Sequence, residues 1–91
     1  MEFEWDPNKE ASNIKKHGLS FIAAAELLLT SHVVRKSDRQ GEARYLAIGE
    51  FEGRLLAVVY TKRADKYRII SARRACKNEA QFYQKYKDRE L

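Results

Sequence analysis

The apolar positions of this chain change their period several times, and each change marks an element. Phe3 and Trp5 alternate with Glu2 and Glu4, which predicts a short strand with one buried face. Asp6-Pro7 predicts a helix start, because an aspartate accepts an orphan backbone N–H and proline suits the first helical position. Asn8 to His17 forms that helix, closed by Gly18 as a left-handed cap, with Ala11 and Ile14 as a thin apolar side. Ser20 caps a second helix, in which Phe21, Ala24, Ala25 and Leu28 share one buried stripe. Val33-Val34 begins an edge strand ahead of the polar loop Lys36 to Glu42.

Beyond that loop the pattern turns to strands. Arg44 to Phe51 meets the turn Glu52-Gly53, Leu55 to Lys62 reads as a central strand, and after Ala64-Asp65 the chain returns as Tyr67 to Arg73. Such short turns predict an antiparallel meander. Simple alternation then puts Tyr67, Ile69, Ser71 and Arg73 on one face and Arg68, Ile70, Ala72 and Arg74 on the other. Lys77 to Arg89 carries Ala80, Tyr83 and Tyr86 at helical spacing. The order predicts an α+β fold: an antiparallel sheet of about four strands with two N-terminal helices and a C-terminal helix. No linker divides it, so residues 1–91 are expected to form a single domain.

Charge changes the picture more than composition does. Residues 1–59 hold 8 Lys/Arg against 9 Asp/Glu, whereas residues 60–91 hold 10 against 4, so the net charge of +5 comes from the final third. A basic patch of this kind implies polyanionic partners, either nucleic acid or an acidic protein that masks it. The single cysteine, Cys76, reads as a small buried apolar residue and excludes an intramolecular disulfide. With two distant histidines there is no thiolate-imidazole spacing for a metal, and no metal or cofactor is expected. His32, without a companion, reads as a surface residue. The N-terminus lacks the pattern of a signal peptide, and Phe21 to Leu29 is too short to span a membrane, so a cytoplasmic protein is expected.

The stretch Tyr67 to Ala75 joins a buried strand to paired guanidiniums, with small residues on either side that leave room for an anion. Cleaving a phosphodiester without metal needs a base, an acid and cations facing the developing phosphorane. His17 offers an imidazole for proton transfer, Lys16 and Lys9 lie on or near its helix face, and Arg73 and Arg74 offer planar donors matched to phosphate. Each has a plainer reading: His17 as a cation at a helix C-terminus, Arg73 and Arg74 as a dock for an acidic partner, Tyr60 and Tyr67 as packing rather than base-stacking residues.

Three runs, FEWDPNKEASNIKKHGLSF, GEARYLAIG and RIISARRACKNE, together resemble the BrnT-type toxins, small ribonucleases of bacterial type II toxin-antitoxin systems. The matching positions are Trp5, Asp6, Lys9, Asn13, Lys16, His17 and Gly18, then Gly41, Glu42 and Arg44, then Arg68, Ser71, Arg73, Arg74 and Glu79. The resemblance implies a RelE/ParE-like fold and a ribonuclease that arrests translation. It also implies neutralisation by a BrnA-type ribbon-helix-helix antitoxin in a heterotetramer, which alone contacts the operator DNA. On this reading Arg73 and Arg74 hold phosphate and transition-state charge, His17 or Lys16 transfers the proton, and Lys9, Arg63, Arg68 and Tyr60 contact RNA. Exchange of both arginines for alanine is expected to spare the fold and abolish toxicity. Cys76 stands where a hydroxyl cap is expected, and the turn Arg63-Ala64-Asp65 lacks a glycine. Two rivals remain at this point: a non-catalytic toxin of the same fold that poisons a protein such as gyrase, and a nucleic-acid-binding module without toxicity.

Overall fold

The computed structural model describes residues 2–38 and 41–89. The chain runs β1 (Glu2–Glu4), α1 (Pro7–His17), α2 (Phe21–Leu28), β2 (His32–Lys36), β3 (Tyr45–Phe51), β4 (Arg54–Arg63), β5 (Lys66–Arg74) and α3 (Lys77–Tyr86), with a 3-10 turn at Lys87–Arg89. The expected α+β arrangement is thus present, with one more strand than expected. The sheet order is β1-β5-β4-β3-β2. β3 to β5 form the predicted antiparallel meander and β2 adds the expected edge strand antiparallel to β3, but β1 joins β5 in parallel, so the sheet is mixed. Of the expected loop between Lys36 and Glu42, positions 39 and 40 lie outside the described residues. Among the described residues no helix is long and apolar enough to cross a membrane.

Local chemistry explains the boundaries. Asp6 Oδ1 accepts the Asn8 backbone N–H at 2.8 Å with Pro7 behind it, and Gly18 closes α1 at φ +72. Ser20 Oγ accepts from Ala23 at 3.1 Å, and Glu10 reaches over from α1 to accept the Phe21 N–H at 2.9 Å. Two of the orphan donors at the start of α2 therefore find side-chain partners, one from its own cap and one from α1.

Two cores sandwich the sheet. Phe21, Ala24, Leu27 and Leu28 of α2 pack on Ala47, Leu56, Val58, Tyr60, Ile69 and Ala72, with Trp5 edge-on to Phe21 at 6.1 Å. On the other face Phe82, Tyr83 and Tyr86 of α3 cover Val33, Leu46, Ile48 and Ala57. Each fully buried Phe or Leu contributes about 1.5–3 kcal/mol. Leu27 joins the predicted α2 stripe and is completely buried.

Helix α1 departs from expectation. Ala11 is exposed and Ile14 is 46% exposed, while the buried residue is Asn13, at 6%. β1 ends at Glu4, opposite Arg68, so beyond that point the outer edge of β5 needs another partner. Asn13 supplies it: Nδ2 donates to Ala72 O at 2.8 Å and to Leu19 O at 2.9 Å, and Oδ1 accepts the Ala72 N–H at 3.1 Å. One side-chain amide stands in for a strand.

β5 also carries an extra residue. Tyr60 pairs with Ile69 and Val59 with Ser71, leaving Ile70 as a bulge. The bulge reverses the alternation, so the predicted face partners are corrected: Tyr67, Ile69, Ala72 and Arg74 point toward the α2 side, and Ser71 and Arg73 toward α3.

The turns give a second test of strain. Glu52 and Gly53 both have positive φ, at 51 and 78, as a two-residue hairpin turn requires. Ala64 is held at φ +53, where a β-carbon is disfavoured. Ala64→Gly is expected to raise stability by about 1 kcal/mol in urea unfolding. Asn13→Ala should lower it by about 2–4 kcal/mol, because it strands a buried N–H and two carbonyls. A loss under about 0.5 kcal/mol would show that water satisfies the β5 edge.

Candidate active site

Two clefts open on β5. The first, about 380 Å³, lies between α1 and the bulge and is lined by Lys9, Ser12, Asn13, Lys16, His17, Ile70 and Ser71 together with Asn8. Lys9, Asn13 and Lys16 fall at i, i+4 and i+7, so the helix that Asn13 anchors presents its lysines along the same wall. The second, about 460 Å³, crosses the α3 face of the sheet from Arg35 and Ser37 past Arg44, Leu46 and Val59 to Arg73 and Glu79. Ile70 and Ser71 line both, so the two clefts meet at the bulge.

His17, Lys16 and Lys9 are thus brought together, and all three are exposed. His17 sits in the last turn of α1 beside Lys15 and Lys16, where the helix dipole favours cations. Its structural and functional readings are compatible. Among the described residues no group of three or more His, Cys, Asp and Glu side chains stands where it could hold a metal ion.

Arg73 and Arg74 are not a pair. Their cross-strand partners, Ala57 and Leu56, belong to opposite cores, so the two guanidiniums leave the sheet on opposite sides. Arg73 points into the second cleft and donates from Nη1 to Glu79 Oε1 at 2.7 Å and from Nη2 to Glu79 Oε2 at 2.8 Å. Nη1 also donates to Arg74 O at 3.3 Å. Arg74 is exposed, lines neither cleft, and its guanidinium makes no hydrogen bond or ion pair among the described residues.

Glu79 is only 4% exposed, and its Oε1 also accepts the Cys76 N–H at 2.9 Å. Hydrogen bonding from Arg73 holds its pKa at about 2, against burial, which acts to raise it. The same carboxylate serves the start of α3, so the helix keeps this cap without the hydroxyl expected at Cys76. Cys76 itself is exposed, contrary to expectation, because it precedes the helix and stands outside its packed face.

The other sequence candidates scatter. Arg68 pairs with Glu4 at 3.1 Å at the β1 edge. Arg63 reaches Glu42 at 3.6 Å, which Arg44 Nε meets at 3.0 Å, and the Arg44 bond lowers the Glu42 pKa. Tyr60 is 3% exposed and stacked between Tyr45 at 5.3 Å and Tyr67 at 5.2 Å. That leaves no ring face for a base, and burial pushes its hydroxyl up to about 12. Sequence reasoning missed Ser12, Arg35 and Ser37 as cleft residues; the signals were the helical spacing from Lys9 and the alternation of Val33 with Arg35.

The family model of the ribonuclease toxin BrnT, of type II toxin-antitoxin systems, matches residues 5–79. The crystal structure of the Brucella abortus ribonuclease toxin BrnT is similar, with a TM-score of 0.71 and 35% identity over 85% of this chain and 99% of that one. No curated protein sequence matches. The family match and the shared fold therefore define a toxin of a type II toxin-antitoxin system, a class that implies an antitoxin partner. Within that class, the chain belongs to the BrnT family of ribonuclease toxins.

The Arg73–Glu79 bond alters the expectation for the arginine variants. Arg73→Ala leaves a buried carboxylate unpaired and should cost about 3 kcal/mol or more, whereas Arg74→Ala should stay within about 0.5 kcal/mol. Because Glu79 has its pKa lowered from 4.5 to about 2, its contribution is complete above pH 4.5 and is lost as pH falls toward 2. Acid unfolding followed by circular dichroism should show this loss in the native chain, and Glu79→Gln should remove that part of the pH dependence.

Proposed function

We propose that this chain is an endoribonuclease that breaks RNA through the 2′-hydroxyl without a metal ion. The observation that carries the reading is the cleft at the bulge, where Lys9, Lys16 and His17 face Ser71 with no carboxylate in the lining. That donor set suits an anion and offers no oxygen cage to a divalent cation.

In this reading His17, with Lys16 beside it, takes the 2′-hydroxyl proton. The 2′-oxygen attacks the adjacent phosphorus, the bond to the 5′-oxygen breaks, and that oxygen leaves with a proton given by the Lys16 ammonium, which recovers it as His17 releases the proton it took. The products are a 2′,3′-cyclic phosphate and a 5′-hydroxyl. Lys9 and Lys16 face the phosphorane charge, and Arg73, oriented by Glu79, adds a planar donor from the adjoining cleft. Arg74 and Tyr60 take no part in the chemistry. Arg63 and Arg68 stand outside both clefts and serve only as distant contacts to the RNA backbone. We take residues 1–91 as one toxin domain, held silent in the cytoplasm by a BrnA-type ribbon-helix-helix antitoxin in a heterotetramer.

Purified chain incubated with naked RNA in EDTA should produce fragments ending in 2′,3′-cyclic phosphate. A Lys16→Ala/His17→Ala variant should fold normally and cleave about 10²–10⁴-fold more slowly. Intact RNA, both alone and with translating ribosomes, would overturn the reading in favour of a protein target.

A further inference from the structure

The outer end of the second cleft holds an arrangement that the cleavage step does not use. Val33 and Arg35 share a face of β2, and where Val33 packs beneath α3, Arg35 emerges at the rim. Its guanidinium carbon lies 5.3 Å from the centre of the Phe82 ring, and Phe82 is itself packed against Tyr86 at 4.6 Å. Arg44 and Arg73, the other two arginines of this cleft, are each neutralised by a glutamate. Arg35 has no carboxylate partner among the described residues. It is exposed, so its guanidinium stands over the aromatic ring while the residue remains open to solvent and to a ligand.

From these observations we infer that Arg35, braced on Phe82, is a base-stacking subsite that holds a nucleotide of single-stranded RNA at a distance from the scissile bond. Guanidinium planes stack on unpaired bases, and the positive charge favours the attached phosphate. From β2 to β5 the cleft crosses three strand spacings, about 14 Å. At about 3.4 Å per nucleotide of a stacked strand, this separates the Arg35 base from the bulge by roughly four nucleotides. A purine offers the larger stacking surface, so the subsite prefers a purine at that position and supplies part of the sequence preference. The inference rests on the ribonuclease reading above, since it names a second contact for the same substrate.

The test uses uncleavable 2′-O-methyl RNA octamers, one of adenosine and one of uridine, with binding to the full chain followed by fluorescence anisotropy at fixed salt. The native chain should bind the adenosine octamer more tightly. Arg35→Ala should weaken that binding about tenfold and erase the difference between octamers, and Arg35→Lys, which keeps the charge and loses the plane, should not restore it. Equal binding by all three proteins, or full rescue by lysine, as an acidic peptide site would show, overturns the inference and leaves the ribonuclease reading intact. Failure of the native chain to bind either octamer also overturns it. Arg35-dependent binding with no cleavage of ordinary RNA keeps the subsite and removes the ribonuclease reading.

Discussion

A strand that loses its neighbour halfway along must find hydrogen-bond partners for the rest of its edge, and in this fold one amide meets that need. β1 covers β5 only as far as Arg68; beyond it the backbone of Ala72 turns to the side chain of Asn13. The consequence reaches past the satisfied groups. Because the amide sits on α1, the edge and the helix cannot be placed independently, and the third bond to Leu19 ties in the turn toward α2. The lysines and histidine on the same helix are held against β5 by that docking, so the first cleft owes its shape to a buried polar contact rather than to an apolar stripe.

Charge is handled differently on the two sides of the bulge. The α1 cleft is lined by cations without a carboxylate, whereas in the sheet cleft Glu42 and Glu79 tie down two of three arginines. A guanidinium fixed by a bidentate carboxylate loses little freedom when it meets a ligand, but it brings less net charge. The site therefore combines mobile attraction near α1 with rigid donors beneath α3.

Much of the fold was legible because its signals are local. The Asp6-Pro7 start, the Gly18 and Ser20 caps and the Glu52-Gly53 turn depend on a few adjacent residues, and each is where the pattern put it. What depends on distant partners was not legible. Asn13 looks like one more polar position on a polar helix, and only the uncovered β5 edge shows why it is buried. The parallel addition of β1 has no period of its own. Of the candidate site, the group Lys9, Lys16 and His17 could be read from one helix; that Arg73 and Arg74 leave opposite faces follows from alternation, but which face each takes was set by a bulge that alternation cannot reveal, and Tyr60 was claimed by its neighbours.

That bulge makes the site a matter of parity. Ahead of Ile70 the odd-numbered residues of β5 face the α2 core; after it the even-numbered ones do. Arg73 lies in the groove because one residue is left unpaired, and a β5 shorter by one would either turn that arginine toward the apolar core or drag the α3 junction out of step. The strand thus tolerates changes in what its residues are more readily than changes in how many there are, and lineages of this protein should diverge in β5 by substitution while keeping its length.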